Sequence, residues 1–269
     1  MSLIAAIILA IIEGITEFLP ISSTGHLIIA NAMMGIKGDF AKLYIIVIQL
    51  GAISAVVALY WRRFFSLGNF KQTFDFYMKL FVAFIPAVVF GLLLSSLIEK
   101  LLGDVLVVAI AMLAGGIVLI FVDRIFKETE ESPDQEITYW MALKIGLFQV
   151  LALVPGVSRS AATIIGGLTQ KLNRKQAAEF SFFLAVPTML AATAKDVYDY
   201  SKDHSFSEGK MSYLAAGCAV AFIVAMIAIK AFIGFLTKHG FNLFGWYRVV
   251  VGAIILILLS MGISLSMVK

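Results

Sequence analysis

From Val105 to Val122 the sequence carries no charged and no hydroxyl side chain. A helix crossing a bilayer needs roughly 20 such residues, so a stretch like this has few homes outside a membrane. It is one of many. Reading apolar runs against breakers gives ten helical segments, at about 3–19, 23–35, 42–61, 76–98, 104–123, 138–154, 158–171, 175–199, 211–236 and 246–267. The chain is 61% hydrophobic and only 14% charged, against about 45–50% and about 25% for an ordinary globular domain. Mean hydropathy is +0.98. These values exclude disordered, collagen-like and nucleic-acid-binding chains, and the expected class is an all-α polytopic membrane protein. The formal charge of +4 then reads as Lys and Arg in cytoplasmic loops. The single cysteine, Cys218, allows neither an internal disulfide nor a cysteine metal cluster. The first segment does not read as a cleavable signal, because Glu13 and Glu17 interrupt it.

Two segment pairs are joined by short polar junctions. Segments 3–19 and 23–35 meet at Leu19-Pro-Ile-Ser-Ser-Thr-Gly, and segments 138–154 and 158–171 at Val154-Pro-Gly-Val-Ser-Arg-Ser. Each junction has a proline followed three positions later by a serine: Pro20 to Ser23, and Pro155 to Ser158. The second member of each pair is too short to span comfortably. Proline-kinked spanning helices are the plainer reading. Re-entrant hairpins with tips at mid-membrane fit better, because broken backbone at that depth survives only inside protein or beside a wet cavity. One hairpin plus three spans per half is an odd number of crossings, so the halves must be inverted. The expected architecture is one integral domain, 1–269: a first inverted repeat (1–123), a connecting loop (124–137) and a second repeat (138–269). A further polar loop is expected from Lys195 to Lys210.

This topology puts Arg62, Arg63, Lys71, Arg124, Lys127, Lys171, Arg174, Lys175 and Lys238 on one side. Lys37, Lys42, Lys100, Lys195, Lys202, Lys210 and Lys269 fall on the other. The first group is assigned to the cytoplasm by its modest excess, with both termini outside.

The chemistry-bearing residues cluster at the two junctions. Glu13 and Glu17 lie four apart, on one helix face. Two carboxylates in an apolar stretch need a proton, an arginine or a divalent cation, Mg²⁺ or Ca²⁺. Ser22, Ser23 and Thr24 precede the second segment as N-caps, where free amides also attract anions. His26 lies one turn past Ser23 and suits acid/base work, although lone membrane histidines often bond between helices. His204 and His239 fall in expected loops. Arg159, flanked by Ser158 and Ser160 with Thr163 one turn on, could cradle phosphate oxygens or pair with Glu13 or Glu17. Gln49, Lys144 and Gln149 read as helix–helix hydrogen bonds or snorkelling groups, Gln49 being the best candidate to support the site. Gly115-Gly116 and Gly166-Gly167 read as close packing.

Taken together, Glu13-Gly-Ile-Thr-Glu17-Phe-Leu-Pro-Ile-Ser-Ser-Thr-Gly-His26 and Pro155-Gly-Val-Ser-Arg-Ser-Ala-Ala-Thr163 resemble the two signatures of the bacterial undecaprenyl-diphosphate phosphatases, the bacitracin-resistance family. The resemblance covers the whole chain. It implies a polyprenyl diphosphate substrate, release of inorganic phosphate, a divalent cation, and a site in the plasma membrane open to the periplasmic or external face. It carries roles onto Glu13, Glu17, Ser23, His26, Ser158, Arg159 and Thr163, with Glu13 and Glu17 as metal ligands. Thr24 and Ser160 complete the expected diphosphate-binding set with Ser158, Arg159 and Thr163. The nucleophile is either Ser23, with His26 as its base, or metal-activated water. The expected partners are the polyprenyl lipid and the bilayer, with no nucleic acid; a homodimer is compatible with this reading.

The acid-phosphatase-like membrane phosphatases are a poor match. Their motif needs His and Asp after Ser-Arg, where this chain has Ile165 and Thr169. The rival from another class is a transporter or flippase for an anionic polyprenyl lipid, which would share the inverted repeats and midplane charges.

Overall fold

Apolar stretches become helices throughout the described residues, several of them with a side-chain cap. The computed structural model describes residues 1–36, 38–65, 70–126, 134–203, 208–263 and 265. Among them the elements are α1 (Leu3–Thr16), α2 (Ser23–Met34), α3 (Asp39–Leu59), α4 (Trp61–Phe64), α5 (Phe70–Leu93), α6 (Ser95–Leu102), α7 (Val105–Ile125), α8 (Tyr139–Val150), α9 (Arg159–Thr169), α10 (Arg174–Asp203), α11 (Glu208–His239) and α12 (Asn242–Ser260). A single 3₁₀ turn, Leu151–Leu153, follows α8. Side-chain oxygens cap the starts: Ser2 accepts from the Ala5 amide at 3.2 Å, Asp104 from Leu106 at 2.9 Å and Thr138 from Met141 at 3.2 Å. Each satisfies an amide that the first helical turn leaves without a partner.

Six helices are long and apolar enough to cross a membrane: α3, α5, α7, α10, α11 and α12. The chain is a multi-pass membrane protein, and its exposed Leu92, Ile125 and Ile227 are its lipid-facing surface. α1 and α8 are apolar but shorter, and each is followed by a short partner, α2 or α9, as the junctions predict. The packing exchanges the halves. α1 lies on α11 of the other half, α8 lies on α5, and α7 packs along α12. The hairpins enter from opposite ends. The Tyr44 hydroxyl near the start of α3 donates to the Ala6 carbonyl at 2.7 Å, so α1 begins beside the start of α3. Tyr139 at the start of α8 donates to Asp75, near the start of α5, at 2.6 Å. At that same end, Asp123 pairs with Arg174 at 2.8 Å and accepts from the Phe241 and Asn242 amides at 2.7 and 3.1 Å. One carboxylate thus ties α7, α10 and α12 together.

Several expected boundaries move. The stretch Lys195 to Lys210 is largely helical, since α10 continues to Asp203 and α11 begins at Glu208. Asp199 receives Lys195 at 3.0 Å and Lys202 at 3.1 Å, and pairs at this spacing support helical turns beyond the apolar segment. The segment expected at 76–98 is two helices, α5 and α6, and His239 is the last residue of α11 rather than a loop residue. Lys37, Lys127, His204, Lys269 and much of the connecting loop lie outside the described residues.

Candidate active site

Each hairpin tip places one signature. α1 presents Glu13 and, just past its end, Glu17. The chain then turns through Pro20 and restarts as α2 at Ser23. In the second hairpin the turn passes Pro155, and α9 starts at Arg159. The residue before each restart is a serine in the left-handed region: Ser22 at φ 69° and Ser158 at φ 73°. A non-glycine residue there is strained, and such strain concentrates at functional sites. The backbone therefore aligns Ser22, not Ser23, with Ser158. The second junction has one more residue after its proline, and Ser23 and Arg159 occupy equivalent first-turn positions.

The two tips meet. Arg159 Nη2 donates to Glu17 Oε1 at 3.0 Å, across a sequence separation of 142 residues. Both side chains are nearly buried, at 12% and 8% exposure. Glu17 Oε2 accepts from the Ser23 hydroxyl at 2.8 Å. Glu17 is thus held between the two helix starts. Arg159 Nη1 donates to the Ser181 carbonyl on α10 at 2.9 Å, and the guanidinium lies 5.8 Å over the Phe18 ring. Its Nε is buried with no hydrogen-bond partner among the described residues.

Glu13 is fully buried, and no donor reaches either of its oxygens among the described residues. Its charged neighbours are Glu17 and Arg159. Two acceptor groups side by side in an apolar helix hold together only with a proton or a cation between them. Among the described residues, no three His, Cys, Asp or Glu side chains cluster as a metal cage.

His26 is placed differently from Ser23. Its Nδ1 lies 2.8 Å from the Ser22 carbonyl and its Nε2 2.7 Å from the Tyr247 hydroxyl. A carbonyl only accepts, so Nδ1 carries a proton, and in the neutral ring Nε2 accepts from tyrosine. The carboxylate hydrogen-bonded to Ser23 is therefore Glu17, not the ring of His26. Ser158 caps α9 by accepting from the Ala161 amide at 3.2 Å, and Thr24 is half buried. Ser160 and Thr163 are buried with their hydroxyls committed. Ser160 donates to the Phe18 carbonyl at 2.7 Å, and Thr163 bonds the Arg159 carbonyl at 2.8 Å and the Ser181 hydroxyl at 2.6 Å. These bonds brace the tips, and a diphosphate role for the two hydroxyls would require breaking them. Gln149 makes the expected helix–helix contact, donating to Thr188 on α10 at 3.3 Å. Lys144 lies 5.5 Å over the Trp140 ring.

Sequence reasoning missed Arg248. It is fully buried in α12, and all five of its N–H groups reach backbone carbonyls. Nη1 donates to Pro20 at 3.2 Å and Val157 at 2.9 Å, Nη2 to Ala111 at 3.1 Å and Gly156 at 2.9 Å, and Nε to Met112 at 3.3 Å. One guanidinium holds both hairpin turns. Gly115 makes room for it, because a Cβ there would collide with the guanidinium. The available signal was a lone arginine inside an apolar segment, which must find buried acceptors.

The profile of the bacitracin resistance protein BacA family matches residues 6–254. The chain belongs to this family. Similar relatives carry the name undecaprenyl-diphosphatase. One from Flavobacterium johnsoniae is 58% identical over 96% of both chains. Another from Bdellovibrio bacteriovorus is 51% identical over the whole of both, and one from Porphyromonas gingivalis is 49% identical over 99% of this chain and all of its own.

Proposed function

We propose that this chain is an integral membrane phosphatase that hydrolyses undecaprenyl diphosphate to undecaprenyl phosphate and inorganic phosphate. This recycles the lipid carrier for cell-wall synthesis and confers resistance to bacitracin. The supporting observation is the Ser23–Glu17–Arg159 chain at the meeting of the two tips. It sets a hydroxyl, its proton acceptor and a guanidinium within one hydrogen-bonded unit, at the starts of two helices.

Ser23 Oγ attacks the terminal phosphorus while its proton passes to Glu17. The bond from that phosphorus to the bridging oxygen breaks, and undecaprenyl phosphate leaves. Water then cleaves the phosphoserine and releases inorganic phosphate, restoring the serine. Arg159 neutralises charge on the phosphoryl oxygens, where a guanidinium fork suits two acceptors. The amides of the first α2 turn add to the cradle, because the Ser22 side chain does not cap them. His26 keeps both ring nitrogens on Ser22 and Tyr247 and acts as a positioning residue of the first tip.

Glu13 and Glu17 suit a divalent cation, because the Glu13 oxygens lack a donor and hard cations take one or two carboxylates plus phosphate oxygens. Such an ion would neutralise developing phosphate charge. The halves are related as inverted repeats, which the opposite entry of the two hairpins supports. The end that carries Arg62, Arg63, Arg124, Arg174 and Lys238 is then cytoplasmic, and the site is taken to open to the opposite, periplasmic or external face, from which the first hairpin enters.

Purified protein in detergent tests this reading, since detergent leaves no compartments to transport between. Phosphate release from undecaprenyl diphosphate, with phosphate trapped on Ser23 after rapid quenching, is the expected result. Release without a trapped phosphoserine would assign the attack to water, and no release at all would favour a transporter.

A further inference from the structure

An apolar groove of about 630 Å³ opens between α1, α11 and α12. Ile15 and Leu19 line it from α1, Ala228, Ala231 and Phe235 from α11, and Phe244 from α12. Its volume is in the range of ligand sites. Two observations connect it to the tips. Leu19 is two residues past Glu17, inside the first turn. On α12, Tyr247 lies three residues past Phe244, close to one helical turn. It is 43% exposed, and its hydroxyl bonds His26. The groove wall thus runs onto the histidine of the first signature.

From this continuity we infer that the groove takes the polyprenyl tail of the substrate and sets the chain-length preference of the enzyme. The inference rests on the phosphatase reading above. A headgroup drawn to tips inside the bundle leaves a tail that must exit through an apolar path. An extended polyprenyl chain is longer than one leaflet, about 15 Å thick, so it needs a lateral surface rather than a closed pocket. The floor is made by two alanines, Ala228 and Ala231, whose small side chains admit methyl-branched isoprene units. The walls are aliphatic and aromatic, and each apolar carbon buried there adds to affinity. A short prenyl chain covers only the part nearest the tips and gains little from the rest.

Ala231→Phe fills the floor without disturbing the core, because Ala231 is exposed. Ile223→Phe is the control, a bulky exposed site on the same helix outside the groove. Phosphate release is measured in detergent with undecaprenyl diphosphate and with farnesyl diphosphate. Ala231→Phe is expected to lower kcat/KM for the long substrate about tenfold, mainly through KM. The short substrate should stay within about twofold, and Ile223→Phe should leave both unchanged. Unchanged turnover of the long substrate by Ala231→Phe would overturn the inference and leave the groove to ordinary bilayer lipid. An equal fall for both substrates would overturn it too. Wild-type protein that releases phosphate from neither substrate would instead remove the phosphatase reading, and the inference with it.

Discussion

The two hairpins share a backbone plan and differ in what their side chains leave unused. In the second, Ser158 caps its helix, Ser160 reaches across to Phe18, and Thr163 is bonded to Ser181. Arg159 finds Glu17 through Nη2, and its buried Nε is left without a hydrogen-bond partner among the described residues. In the first, the Ser22 side chain makes no cap bond, and Glu13 has two buried oxygens without a donor. Unspent polar groups in an apolar setting are costly, and the two Glu13 oxygens put most of them in the first hairpin, where the proposed reaction takes place. The second hairpin braces the site and contributes one cation.

The largest effect that would sharpen this contrast is expected from Ser23→Ala. If the first hairpin carries the reaction, phosphate release falls to near background while the folded protein elutes normally in size-exclusion chromatography. Residual turnover within about a hundredfold of wild type would mean that Ser23 only positions a water. Glu17→Gln comes next. It keeps the shape but removes the proton acceptor and the counter-ion of Arg159, and kcat should fall roughly 10²–10⁴-fold, the range of a general base. Arg159→Lys retains charge without the fork and should cost about 2–3 kcal/mol in kcat/KM. Near-normal kinetics would make Arg159 a purely structural counter-ion and erase the second hairpin's chemical role.

Chelation should abolish turnover and added Mg²⁺ or Ca²⁺ restore it, with Glu13→Gln raising the metal concentration needed for half-maximal activity. Full activity in chelator would leave Glu13 and Glu17 to share a proton. The smallest change is expected from Ser160→Ala. It leaves the Phe18 carbonyl without its donor, at about 1–3 kcal/mol of stability, read as a lower melting temperature. Activity per folded molecule should change little, and a large loss would move chemistry into the second hairpin.

Where sequence reading succeeded, the physics was one of need. A buried arginine and two buried carboxylates have to find each other, so a pairing of Arg159 with Glu13 or Glu17 was legible, and the structure selects Glu17. The two broken segment pairs were equally legible, because each apolar run after a junction is too short to span. Hydroxyl commitments were not legible. Whether Ser160 faces a substrate or the Phe18 carbonyl depends on how two hairpins dock, which spacing along one chain does not encode. The hydrogen-bond partner of Ser23, Glu17, was not legible for a similar reason. His26 is one turn away on an ideal helix, but its ring is drawn off by Ser22 and Tyr247. Arg248 escaped because its acceptors are main-chain carbonyls, which no residue type advertises.

Arg248 also has a consequence for how the protein is made. Both signatures are complete once Thr163 has been synthesised, yet the guanidinium that holds their turns belongs to α12. Synthesis proceeds from the N-terminus and early parts fold first. A nascent chain ending before α12 therefore contains both signatures while the carbonyls of Pro20, Gly156 and Val157 still lack this donor and His26 lacks Tyr247. Insertion of α12 supplies that donor and joins the two turns, so the proposed site is braced only after a helix that follows both signatures is in place.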